Sequence, residues 1–142
     1  MKKLLYIFSL ALLLAGCNSV KKNQRLLAQG NYEQAIELAV KKLQKNTSSK
    51  KKDGHITVLE KAFQKNVAKD TRRISFLEKQ GNASGAKEIY YTYQNLAYIQ
   101  DKIRPLLPIY SNTLKRDAEF TLKDYSSKIL DAKKAYIAYL YD

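Results

Sequence analysis

Leu26-Leu27-Ala28-Gln29-Gly30-Asn31-Tyr32-Glu33-Gln34-Ala35-Ile36 decides the fold of this chain. Apolar residues lie on both sides of a short polar break. Gly30-Asn31 reads as a turn, and the Asn31 side-chain oxygen can accept the orphan amide hydrogens of a following first helical turn. A helix is expected from Tyr32 to about Lys45. Its apolar positions Tyr32, Ala35, Ile36, Ala39, Val40 and Leu43 advance by 3, 1, 3, 1 and 3 residues, which marks one helical face. The segment before the turn, Asn18 to Gln29, reads as a short first helix or as a linker.

The same pattern extends outward. With 5 Gly and 2 Pro in 142 residues, and with apolar residues recurring at three and four, the chain reads as all-α. No stretch shows sustained strand alternation. Asn46 to Gly54 is polar and charged and is expected to be a loop, the most mobile part of the body. A long helix should follow from Ile56 to Lys79, with Val58, Leu59, Ala62, Phe63, Val67, Ile74 and Leu77 facing inward. Asp70-Thr71 could kink it or leave it whole. Gly81 to Gly85 forms a second turn. Ala86 to Ile103 makes the next helix, ended by Arg104-Pro105 because proline disfavours helical geometry in the residue before it. Pro105 to Pro108 is an apolar connector expected against the core. A last helical region is expected from about Thr113 to Tyr141, with Phe120, Leu122, Tyr125, Ile129, Ala132, Tyr136 and Leu140 on its inner face.

Two segments echo each other. The opening stretch has a partner in Phe76-Leu77-Glu78-Lys79-Gln80-Gly81-Asn82-Ala83-Ser84-Gly85-Ala86. Each has apolar residues, then Gly-Asn, then Ala four positions after the Asn. This resembles the centre of a tetratricopeptide repeat (TPR), where such a turn joins two antiparallel helices and a small Ala lets them approach. Gly30, Asn31, Tyr32, Ala35 and Ile36 match well, whereas Ala83 replaces the aromatic in the second copy. The turns lie 51 residues apart (81 minus 30), not at the roughly 34-residue period of the family. The resemblance implies antiparallel TPR-like hairpins rather than a regular solenoid. The chain also looks like the N-terminal part of longer TPR-like lipoproteins, and its ending Tyr139-Leu140-Tyr141-Asp142 fits a short relative or a truncated product.

At the other end, Lys2 and Lys3 precede the apolar run Leu4 to Leu14, followed by Ala15-Gly16-Cys17. A basic start, a short apolar run and small residues before a cut describe a secretory signal. The run of about 11 residues is too short for the ~20 of a membrane-spanning helix. Leu14-Ala15-Gly16-Cys17 resembles the lipobox of bacterial lipoproteins. The resemblance implies cleavage between Gly16 and Cys17, with diacylglyceryl and fatty-acyl (palmitate-type) modification of Cys17. Residues 1–16 would then be a removed signal peptide, 17–25 a lipidated N-terminus and linker, and 26–142 a helical TPR-like domain with a polar loop at 46–54. Asn18, not Asp, points to the outer membrane. The acid-free Ser19-Val20-Lys21-Lys22 points to its periplasmic face.

Removing 16 of 142 residues leaves 126, which suits one modest domain. An acylated sole cysteine leaves no disulfide, so stability must come from packing. The net charge is +13, and without Lys2 and Lys3 it is +11. The excess spreads over doublets and the Lys50-Lys51-Lys52 run, which reads as a solvated basic surface or as an attractant for anionic lipid or wall polymer. Export makes nucleic acid an unexpected partner.

Chemistry-bearing motifs are sparse. The single histidine, His55, cannot assemble an ordinary zinc site. It reads as an exposed residue near a helix start rather than a base. Glu33, Glu37 and Lys41 follow at i, i+4 and i+8, an ordinary surface series. There is no glycine-rich phosphate loop and no Gly-x-Ser-x-Gly. No catalytic residue, metal or cofactor is therefore expected. Tyrosine is crowded at 90, 91, 93 and 98, and again at 136, 139 and 141. Tyr90 and Tyr93 share a stripe with Ala97 and are expected in the core. Tyr91 falls off that stripe. The candidate interaction residues are Tyr91, Tyr98, Lys50, Lys51 and Lys52. The expected function is a non-enzymatic, lipid-anchored scaffold for an envelope protein, with electrostatic binding of anionic envelope material as the alternative.

Overall fold

The computed structural model describes residues 19–45, 49–81 and 83–141 and is mostly helical. Five helices occur among these residues: α1 at 19–28, α2 at Tyr32–Leu43, α3 at Ser49–Gln80, α4 at Ala86–Ile103 and α5 at Ser126–Tyr141. Two short 3-10 turns, Ala83–Gly85 and Arg104–Leu106, flank α4, and a small hairpin pairs β1 (Tyr110–Ser111) with β2 (Arg116–Asp117). Instead of one body, the chain divides into two compact units. The described residues of the first fall within 1–63 and 108–119, and those of the second within 64–107 and 120–142.

In the first unit, α1 ends where the sequence places a turn. Gly30 takes a positive φ of 78°, a conformation that costs glycine no Cβ clash. Its N–H bonds to the Leu27 carbonyl at 3.2 Å and the Asn31 N–H bonds to the Leu26 carbonyl at 2.9 Å. These two bonds form a Schellman closure, which satisfies carbonyls that the helix end would leave bare. Asn31 then begins α2 through its carbonyl, which accepts the Ala35 N–H at 3.0 Å, but its side chain makes no capping bond. The expected side-chain cap is thus not made, and the Asn31 carbonyl provides only the first intrahelical bond. Ala35, Ile36, Ala39, Val40 and Leu43 of α2 are all buried, as are Ile56, Val58, Leu59, Ala62 and Phe63 of α3. Each large side chain of this set contributes roughly 1.5–3 kcal/mol by leaving water.

The polar stretch 46–54 is corrected in its second half. Residues 49–54 form the first turns of α3, and residues 46–48 lie outside the described ones. Three lysines and no acid open this helix, against the preference of the helix dipole. Packing and hydrogen bonding hold it instead. Gly54 sits so close to α1 that a Cβ there would lie 2.7 Å from Val20 Cγ1. Asp53 is buried and bound, as described below.

The last helical region is also shorter than expected. Residues 110–117 form the hairpin, whose turn passes through Lys115 at a φ of 54°. The Asp53 carboxylate accepts bonds from the Ser111 hydroxyl (2.9 Å) and from the Thr113 N–H (3.0 Å) and hydroxyl. Short polar side chains at this spacing offer the backbone an alternative to helix.

In the second unit, α3 from Gln64 onward, α4 and α5 enclose Ile74, Leu77, Ala86, Leu96, Ile99, Ile103 and Ala132. Gly81 has a φ of 64° and bonds to the Glu78 carbonyl at 3.2 Å, the counterpart of the Gly30–Leu27 bond. Asp70-Thr71 leaves α3 unbroken. The buried Gln100 amide pairs with both backbone groups of Lys123, donating to its carbonyl at 3.1 Å and accepting its N–H. This keeps Lys123 out of a helix. Asp124 then accepts the Ser126 N–H at 2.8 Å at the start of α5. In the connector, Leu106 and Leu107 are half-buried and both prolines are exposed. Leu140, expected inside, is exposed.

Candidate functional site

The strongest surface feature belongs to α4 in the second unit. Tyr91 and Tyr98 are seven residues apart, on one line of the helix. They are 52 % and 51 % exposed. Lys102 places its ammonium 4.6 Å from the centre of the Tyr98 ring, a cation–π contact. Tyr91 is held by its neighbours: its ring centre lies 5.2 Å from Tyr90 and 6.2 Å from Tyr136. Tyr90 in turn accepts a bond from the Gln94 amide at 3.0 Å. An open concavity of about 540 Å³ lies beside Tyr91, lined by Ser84, Lys87, Glu88, Tyr91, Thr92 and Asn95. Its wall is braced by a two-pronged contact in which Arg73 Nη2 reaches Glu88 Oε2 at 2.8 Å. That hydrogen bond holds the Glu88 carboxyl below its ordinary range.

Two other tyrosines of α4 pack partly inward. Tyr90 and Tyr93 are half-buried. The Tyr93 ring meets that of Tyr125 in a tilted contact, centre to centre 5.8 Å. Burial pushes both hydroxyls above their ordinary range, with the Glu78 charge adding to Tyr93 and the Asp70 charge to Tyr125. Both therefore stay neutral at physiological pH. A second, more apolar concavity of about 380 Å³ runs past Gly81, Ala86, Ala132 and Ala135 to Tyr139.

The lysine candidates are in the other unit. Lys51 and Lys52 are half-buried on the first turns of α3 rather than displayed on a loop. Lys50 lies in the same helix, with its side chain outside the described residues. The two tyrosines and the three lysines therefore belong to different units.

His55 is the clearest correction. It is fully buried, at 0 % exposure. Ser19 Oγ lies 3.4 Å from its Nε2, and Asn23 Nδ2 donates to its Nδ1 at 3.1 Å. Burial lowers its pKa, and the Lys42 charge lowers it further, so it is neutral at physiological pH. Asp53 was not singled out by the sequence. Burial would raise its carboxyl, but hydrogen bonds from Thr113 and Ser111 and from the backbone of Asn112 and Thr113 outweigh that and hold it low. Glu60, also buried, accepts from Arg116 at 2.9 Å and from the Glu119 N–H at 3.2 Å. A relay of the Ser–His–Asp type needs the acid on the imidazole and the imidazole near solvent. Here Asp53 is bound to the hairpin and His55 is sealed in, so both act as structural groups. Only the burial of His55 has a sequence signal: it sits three and four residues before Val58 and Leu59, on their side of the helix.

Among the described residues no group of three or more His, Cys, Asp or Glu side chains could hold a metal ion. No described helix is long and apolar enough to cross a membrane. Gly16 and Cys17 lie outside the described residues. Residues 1–18 match the family described as the prokaryotic membrane lipoprotein lipid attachment site. The chain carries a lipoprotein attachment signal. That supports a bacterial lipoprotein, anchored by lipid at the cell envelope. No curated protein and no solved structure matches the lipoprotein.

Proposed function

We propose that the lipoprotein is a non-enzymatic scaffold, anchored through lipid on Cys17 at the periplasmic face of the outer membrane, that holds another envelope protein. The observation that carries this reading is the outward tyrosine line of α4. Tyr91 and Tyr98 offer large, rigid contact area at low entropic cost, and tyrosine is enriched at interfaces. The two Gly-Asn turns, each with a positive-φ glycine and a buried Ala five residues on, support hairpins of TPR-like type, whose grooves and faces take helices or extended peptides. The absence of a relay around His55 favours binding over catalysis.

The test is a photo-crosslinking amino acid at position 98 of the full chain in cells. A discrete envelope-protein adduct, weakened by Tyr91→Ala, is expected. A lack of any adduct at 98 under several growth conditions refutes the reading. A second reading, attraction to anionic envelope material, is favoured by the +11 charge that remains without Lys2 and Lys3 and predicts binding that weakens steeply with salt.

A further inference from the structure

Helix α5 leaves an apolar line uncovered. Leu130, Ile137 and Tyr141 are 52 %, 42 % and 87 % exposed. They follow at intervals of seven and four residues, so they fall on one line of the helix. Ala132, half a helix away in register, faces the core. Lys133 and Lys134 stand exposed on either side of the line. Asp131 is the only acid of α5, and it lies about a third of a turn from Ile137 at the helical pitch. The face is thus apolar, aromatic at one end and purely basic at its middle.

We propose that this face of α5 lies on the surface of an anionic lipid bilayer. Each side chain suits that environment. Leucine and isoleucine enter the boundary between headgroups and acyl chains, and tyrosine sits at headgroup level with its hydroxyl wet. Lysine stems lie along apolar surface while their ammonium groups reach lipid phosphates. The membrane is at hand because residues 1–18 match a lipid attachment site. The lysines also tell against the other occupants. They occupy the centre of the helix, so two copies pairing by a two-fold axis across this face would bring four ammonium groups together. The core of a protein interface is depleted in lysine. A bilayer of negative headgroups is complementary to both the charge and the apolar line. The proposal narrows the second functional reading to one surface and one source of anions. It is independent of the α4 scaffold, whose partner plays no part in the test.

The chain has one cysteine, and acylation of Cys17 leaves no free thiol. Ile137→Cys and Leu130→Cys can therefore each carry a single nitroxide on the whole lipidated protein. Lys128→Cys, nine residues from position 137 and so on the opposite side of the helix, is the control. The protein is reconstituted in vesicles of phosphatidylethanolamine and phosphatidylglycerol, and spin relaxation by oxygen and by a water-soluble nickel complex is measured. The oxygen-to-nickel ratio at 137 and 130 is expected to be several-fold above that at 128, and to fall toward it in phosphatidylcholine vesicles. Equal ratios at all three positions overturn the proposal. So does a contrast that persists in detergent and fades on dilution, which identifies a second copy. An undiminished contrast in phosphatidylcholine removes the anionic component and also overturns the proposal as stated. Failure here leaves binding of wall polymer, and the α4 scaffold, standing.

Discussion

Gly54→Ala should weaken the lipoprotein, although alanine is ordinarily the better helix residue. Gly54 lies six residues into α3, where replacing glycine by alanine normally gains roughly 0.5–1 kcal/mol. The added Cβ, however, would lie 2.7 Å from Val20 Cγ1 and 3.3 Å from Cγ2. Carbon atoms pack best at about 3.5–4.0 Å, so α1 must withdraw by close to an ångström. Val20 cannot simply turn aside, because a valine in a helix has one strongly preferred rotamer. Overpacking of this kind costs about 1–3 kcal/mol, which leaves a net loss of roughly 0–2.5 kcal/mol, centred on about 1, after the helical gain. The Val20→Ala background removes the clashing methyls. There the same Gly54→Ala change should stabilise by its ordinary fraction of a kilocalorie. The two effects have opposite signs, so a double-mutant cycle isolates the contact from general helix propensity. Thermal unfolding followed by circular dichroism on a form beginning at Asn18 reads the cycle, at about 2–8 °C per kcal/mol for domains of this size range. Amide exchange at residues 23–28 locates the loss in α1. Equal stabilisation by Gly54→Ala in both backgrounds refutes the close approach of α1 and α3.

Two further outcomes follow from the buried polar groups of the first unit. Asp53→Ala should destabilise by about 2–4 kcal/mol, because it removes charge-assisted bonds and leaves the Ser111 and Thr113 donors unpartnered; loss of amide protection at 110–117 with α2 unchanged checks it. His55 has a lowered pKa in the folded state, so the unfolded chain binds a proton that the folded chain refuses. Its contribution is complete above the ordinary value of 6.5 and is lost as the pH falls through the lower folded value. Stability measured in urea from pH 7.5 to 5 should therefore decline, and His55→Gln should flatten that slope. Asp53 acts with the same sign in a separate window, below its ordinary value of 3.8.

The helices that were legible from the sequence are those whose signals are local. The 3-1-3-1-3 spacing of α2 and the Gly30 turn are determined by residues within a few positions of one another. The bounds of α4 follow from Gly85 and Arg104-Pro105 in the same way. The misreadings share another cause. Residues 49–54 look like a loop because Lys50, Lys51, Lys52, Asp53 and Gly54 are polar or flexible. They become helix because Asp53 and Gly54 meet partners 58 to 60 and 34 residues away in sequence. Residues 113–125 look helical by spacing, yet Asp53 binds Thr113 and Gln100 binds the backbone of Lys123 from afar. His55 looks exposed by its neighbours and is buried by Ser19 and Asn23. Among the candidate residues, the exposure of Tyr91 was legible because it falls off the Tyr90, Tyr93 and Ala97 stripe, whereas Leu140 was assigned to the inner face of a helix that leaves it exposed.

The close seating of Val20 on Gly54 bears on how far the protein can move from its membrane. With lipid on Cys17, one residue, Asn18, lies between the anchored cysteine and a helix that is already pinned at Ser19, Val20 and Asn23. The two residue steps from 17 to 19 span about 7 Å at full extension. With that anchor in place, the sequence between lipid and α1 is too short to carry the first unit far from the headgroups. An anchored first unit explores the envelope by lateral diffusion in a plane, and under the scaffold reading proposed above a partner must reach that plane to be caught.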